Sequence, residues 1–138
     1  MPTDLHSGEY RAVHPYPVPM PAMTVTIVPY LGGGDFRTSE AVLDSGSEYT
    51  WVPTHVPHEN GWDPEGVDPA PVSPLGGPRA SATGFLATVR IGTCEWTMPV
   101  YQQLPESSLQ CVLIGQDLLR KLFVRMHGPD RRLFVQVP

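Results

Sequence analysis

The sequence predicts an all-β fold, and three observations lead there. Seventeen prolines and thirteen glycines among 138 residues interrupt the chain too often for long helices. The apolar residues, 41% of the total, fall largely in short β-branched runs with strand alternation. Only one short stretch, from about Gln116 to Leu122, reads as a helix. A chain of this size builds one hydrophobic core and not two.

The elements follow in order. Residues 1–22 are set apart as a proline-rich N-terminal arm, with "HPYPVPMPA" extended and partly polyproline II unless something docks it. Residues 23–138 form the domain. Its first strand is "MTVTIVPY", its first turn "LGGGD", and "TSEAVL" the partner strand that arrives at Asp44. "YTWVP" is the next strand. Residues 53–74 carry too many prolines for a stable helix and predict an irregular excursion. After "LGGPR" come two long strand runs, "ASATGFLATVRI" and "CEWTMPVY", joined by the turn "GT". A buried strand, Cys111 to Ile114, leads through Gly115 into the short helix, with Asp117 in its first turn, where the helix dipole favours an anion. A hairpin around Gly128-Pro129-Asp130 ends the chain.

Composition narrows the function. The formal net charge is −5 and Lys121 is the only lysine, so no basic footprint for nucleic acid or an anionic membrane is expected. No apolar run approaches a bilayer span, and the polar start "MPTDLHSGEYR" lacks the basic-then-apolar order of a secretory signal, which points to a cytoplasmic protein. Cys94 and Cys111 sit in strand-like segments and read as small buried hydrophobes. His55 and His58 lack a third ligand at matching spacing, so no metal is expected. The glycines of "LGGGD" lack the lysine and following helix of a phosphate loop, and no cofactor is assigned.

The chemistry centres on "SEAVLDSGSEYTWVP", Ser39 to Pro53, where one carboxylate stands in the middle of an apolar run. A carboxylate beside a core is costly unless hydrogen-bonded, paired or used. Asp-Ser-Gly by itself often forms an Asx or Ser turn at a strand end. Here it is followed some thirty residues later by the glycine-bearing "VSPLGGPRASATG", and near the C-terminus by "VLIGQDLL". In this order, over roughly Thr24 to Pro138, the chain resembles the retropepsin-like aspartic proteases, with "YTWVP" similar to bacterial stand-alone members. The matching positions are Val42, Leu43, Asp44, Ser45 and Gly46 for the catalytic loop, Gly76 and Gly77 for the flap, and Leu113, Ile114, Gly115, Gln116 and Asp117 for the supporting strand and turn.

The resemblance implies a closed β-barrel with a glycine flap hairpin and one short C-terminal helix, acting as a homodimer. It makes Asp44 the catalytic acid, Ser45 and Gly46 its loop, Leu75, Gly76 and Gly77 the substrate-covering flap tip, and Ile114, Gly115 and Asp117 supporting residues. In such chemistry two aspartates share one proton, so one is base toward water while the other donates to the oxyanion. None of Asp4, Asp35, Asp63, Asp68, Asp117 and Asp130 has the apolar-Asp-hydroxyl-Gly setting. The second acid must therefore come from an identical chain. "RRLFVQVP" is the expected interface strand, and an extended peptide or protein segment the expected substrate. Gln116 stands where many retroviral members have arginine, so an ion pair with Glu48 is missing or replaced, and Ser47 stands where alanine is frequent. The alternative reading is a non-catalytic peptide-binding or dimerisation module of the same fold.

Overall fold

The computed structural model describes residues 4–72, 80–107 and 109–137. Among them are eleven strands and two short helices. In chain order these are β1 (Asp4–Arg11), β2 (Met20–Pro29), β3 (Phe36–Leu43), β4 (Trp51–Val52), α1 (His55–Glu59), β5 (Ala70–Val72), β6 (Ala80–Ala82), β7 (Gly84–Ile91), β8 (Cys94–Gln102), β9 (Val112–Ile114), α2 (Gln116–Leu119), β10 (Phe123–His127) and β11 (Arg132–Val137).

Six strands close a barrel in the order β2-β3-β9-β4-β8-β7, with β7 returning to β2. Closure removes the open edges that a small sheet would otherwise expose. The alternation read from the sequence supplies the core: Val25 and Ile27 of β2, Ala41 and Leu43 of β3, and Phe85, Ala87, Val89 and Ile91 of β7 all point inward and are buried. Each buried Val, Ile, Leu or Phe among them contributes about 1.5–3 kcal/mol by leaving water. A smaller cluster lies outside the barrel, where Val42 and Leu113 meet Val13, Ala22 and Cys111. Val42 and Leu113 are the out-facing alternates of β3 and β9, so both faces are covered where these two strands pair.

The order around β9 positions the functional loop. β3 and β4 are consecutive in sequence, yet β9 lies between them, parallel to β3 (Ala41↔Val112, Val42↔Leu113, Leu43↔Ile114) and antiparallel to β4 (Trp51↔Leu113). The chain leaving β3 must therefore pass over the end of β9 before it descends as β4. That passage is the segment beginning at Asp44.

Four features differ from the sequence expectation. The run "ASATGFLATVRI" is divided: β6 pairs with β5 in a separate two-stranded ladder (Ala70↔Ala82, Val72↔Ala80), and β7 joins the barrel. The excursion after Pro53 contains a helix, α1, because Pro57 falls in the first turn, where a missing N–H leaves no intrahelical bond unmade. Gly61 (φ 67°) follows its C-terminal end in the left-handed conformation. The glycine turn of residues 32–34 docks here: Gly34 N–H donates to the Asn60 carbonyl (2.8 Å), and a Cβ on Gly33 would collide with that same carbonyl. Helix α2 is shorter than expected, ending at Leu119.

The fourth difference concerns the termini. β1, within the segment set apart as an arm, pairs with β11 (His6↔Val135, Gly8↔Leu133) and with β2 (Glu9↔Ala22). The docking element for the arm is thus the chain's own C-terminal strand, and Val13 beyond it is 1% exposed. Within this chain β11, the strand of "RRLFVQVP", is flanked by β1 and β10. Among the described residues the open edge at this end of the sheet is β10, where Phe123 and Met126 are exposed.

Candidate active site

Asp44 stands at the end of β3, half-buried, with Ser45 and Gly46 exposed beyond it. Its backbone N–H donates to the Ile114 carbonyl (2.9 Å), which extends the β3–β9 pairing by one step. One carboxylate oxygen, Oδ1, accepts from the Gly46 N–H (3.0 Å), and the Asp44 carbonyl accepts from Ser47 N–H (3.2 Å). The Asx turn favoured for an isolated Asp-Ser-Gly is therefore present, and it fixes the carboxylate rather than burying it.

The loop is held from behind by the residues after β9. Gln116 N–H donates to the Ser47 carbonyl (2.8 Å) and Asp117 N–H to the Glu48 carbonyl (3.1 Å). The Asp117 carboxylate returns the bond, accepting from Thr50 N–H (2.9 Å) and from the Thr50 hydroxyl (2.8 Å). Gly115 N–H donates to the same Thr50 oxygen (3.3 Å). Gly115 is the close-approach point, since a Cβ there would run into the Tyr49 carbonyl and crowd that of Ser47. Gln116, at the position where arginine was noted as frequent, donates its side-chain amide to the Ser45 carbonyl (2.9 Å). A neutral hydrogen bond thus ties this residue to the loop.

Ser47 does structural work as well. Its hydroxyl donates to the Tyr49 carbonyl (2.8 Å) and accepts from the Trp51 indole N–H (3.0 Å). Trp51, Tyr49 and Tyr101 form an aromatic group with ring centroids 4.9–6.2 Å apart. Burial raises the Tyr101 hydroxyl's pKa, with Tyr49, Asp117 and Asp68 adding to the effect. On the outer side of the loop, burial also raises Tyr16, helped by the nearby Cys111 and Asp44 charges. Burial pushes the Cys111 thiol up to about 11; a backbone hydrogen bond opposes this, and the charges of Glu40 and Asp44 add to it.

The sequence-predicted residues Asp44, Ser45, Gly46, Ile114, Gly115 and Asp117 are thus brought into one interlocked unit. Ile114 and Val52 are fully buried in the barrel core. Leu75, Gly76 and Gly77 lie outside the described residues; the β5–β6 ladder is the stem that leads to them and back. Sequence reasoning missed Thr50 and Tyr16. Thr50 had a signal, a hydroxyl inside the apolar run "YTWV" with an aspartate waiting after Gly115, whereas nothing in "HPYPVP" marked Tyr16.

A closed six-stranded barrel in which an Asp-Ser-Gly loop crosses the end of an inserted strand defines the retropepsin-like class of fold. The chain is similar in structure to a retropepsin-like aspartic protease from Rickettsia conorii, with a TM-score of 0.57 and 14% sequence identity over 97% of this chain and 94% of that one. A family model described as Aspartyl protease matches residues 24–118, and the chain belongs to that family. No curated protein sequence matches it.

Proposed function

We propose that this protein is a homodimeric aspartic endopeptidase in which Asp44 of each protomer supplies one half of the catalytic pair. The observation that carries the reading is the presentation of Asp44. Its backbone is fastened to β9, its loop is tied to Gln116 and Asp117, and the carboxylate remains half-exposed beside an exposed Ser45. A carboxylate held in this way is preorganised, so little reorganisation is required when charge develops in the reaction.

Two carboxylates about 3 Å apart cannot both ionise, so the pair holds one proton. The ionised Asp44 accepts a proton from water as the water oxygen attacks the peptide carbonyl carbon. The protonated Asp44 donates toward the carbonyl oxygen, and collapse of the tetrahedral species transfers a proton to the leaving amine. Ser45, exposed on the same loop, braces one loop against the other in this dimer. The substrate is an extended peptide segment, with the hairpin tip at Leu75, Gly76 and Gly77 closing over it and offering backbone hydrogen bonds.

The test is Asp44→Asn assayed on a peptide library, with sedimentation of both forms. Loss of cleavage by at least a thousandfold in a dimer with unchanged circular dichroism is the expected result. Undiminished proteolysis by the purified variant, or full activity from a monomer, overturns the assignment.

A further inference from the structure

On the outer face of the barrel, far from Asp44, lies a cleft of about 570 Å³ to which β1, β2, β3 and β7 all contribute. Its floor is a rung of three directly opposed residues. Thr26 of β2 faces Arg37 of β3 on one side and Arg90 of β7 on the other. Opposed residues in antiparallel pairs project to the same face, and strands lie about 4.8 Å apart, so the two arginine backbones flank the threonine with roughly 10 Å between them. Thr24, two residues back along β2, also lines the cleft, and His6 and Ser7 of β1 complete it.

The charge is unusual for this chain. It carries nine cationic side chains against fourteen anionic ones, yet the cleft gathers two arginines and a histidine and, among the described residues, is lined by no carboxylate. Arg90 uses its Nε to bind Glu95 across the β7–β8 turn (3.0 Å), a bond that leaves the two terminal amino groups of the guanidinium for other acceptors. Arg37 has no ion-pair partner among the described residues. A second observation is independent of charge: the His6 Nε2 atom is buried and without a hydrogen-bond partner among the described residues. A buried polar nitrogen left unmatched costs about 1–3 kcal/mol. The ring is held there by close packing on Gly92, where any Cβ would overlap the imidazole.

We propose that this cleft is a binding site for a small phosphorylated ligand, with the phosphate seated between the Arg37 and Arg90 guanidiniums over Thr26. One guanidinium satisfies a carboxylate with a single two-pronged pair, whereas a phosphate carries more charge and more acceptor oxygens and takes two. The hydroxyls of Thr24, Thr26 and Ser7 supply further hydrogen-bonding atoms, the His6 ring beside them reports on the ligand, and the volume accommodates a substituent on the phosphate. The site is separate from the peptide site: Arg37 precedes Asp44 by seven residues of nearly continuous strand, roughly 20 Å at strand rise. A ligand here bridges β1 to the barrel, and so couples the N-terminal strand to the domain.

The experiment is titration of the full-length protein, at constant ionic strength, with inorganic phosphate, with glycerol 2-phosphate and with acetate. Calorimetry and the long-range ¹H–¹⁵N spectrum of the His6 ring are the readouts. Saturable binding of either phosphate compound with a shift at His6 is expected; binding of both assigns the site to the phosphate group, and of glycerol 2-phosphate alone to a phosphomonoester. Arg37→Gln, at an exposed position that leaves the core untouched, is expected to weaken binding at least tenfold, while Arg120→Gln on α2's distal end leaves it unchanged. Absence of saturable binding, equal affinity for acetate, or undiminished binding by Arg37→Gln overturns the proposal.

Discussion

The Asp117 carboxylate grips Thr50 at two points, accepting its backbone N–H at 2.9 Å and its hydroxyl at 2.8 Å across 67 residues of sequence. Thr50 is fully buried, so both of its donors depend on this one carboxylate. The bond joins the end of the Asp44 loop to the start of α2, and it sets the height at which the loop crosses β9.

Asp117→Ala strands a buried N–H and a buried hydroxyl and is expected to destabilise the protein by about 2–4 kcal/mol. Thr50→Val removes one donor and costs about 1–2 kcal/mol. Urea denaturation of both single variants and the double variant measures the coupling. A coupling energy near zero rejects the bond as a determinant of loop position.

Gly115→Ala tests the crossing itself. Its φ of −96° is open to any residue, so the penalty is purely steric, the methyl group meeting the Tyr49 carbonyl. Backbone cannot retreat as a flexible side chain does. The expected outcome is a loss of at least about 3 kcal/mol, or failure to accumulate folded protein. A variant with wild-type melting temperature contradicts the close approach.

Stability should fall at alkaline pH through Cys111. Burial raises its thiol from an ordinary 9.0 to about 11 in the folded protein. Below pH 9 the thiol is protonated in both states and its contribution is complete. Between about 9 and about 11 the unfolded chain releases a proton that the folded chain retains, so each rise in pH favours unfolding. Denaturation midpoints followed across this range should decline more steeply for wild type than for Cys111→Ala. Parallel curves contradict the assignment.

The proposed dimer has a candidate edge in β10. Phe123 is 63% exposed there, on the open side of the terminal three-stranded part of the sheet. An exposed aromatic on an unpaired edge invites pairing with another strand. Phe123→Lys is expected to raise the dimer dissociation constant at least tenfold in sedimentation equilibrium while leaving the monomer fold intact. An unchanged dissociation constant places the interface elsewhere.

Much of the candidate site was legible in the sequence because its signals are local. Asp44-Ser45-Gly46 after an apolar run and Gly115 with Asp117 after "VLI" are short patterns whose backbone requirements belong to a few adjacent residues. The first hairpin was legible from β-branched alternation and glycines, as was the β7–β8 pair. Helix α1 was less so, since a proline three residues past the N-cap reads as a breaker until the start of the helix is known. The split of the "ASATGFLATVRI" run was also hidden, because strand propensity is continuous through Thr83 and only the choice of partner divides it.

The sequence by itself determined the all-β class, the barrel-face alternation and the turn that presents Asp44, since each depends on side-chain pattern or backbone freedom within a few residues. Tertiary structure alone decided that β9 lies between β3 and β4, that Asp117 reaches Thr50, that β1 shelters β11, and that Arg37 and Arg90 share a cleft with His6. These are pairings between segments distant along the chain. Their register is set by closing one barrel around one core, a constraint that acts on all the strands together.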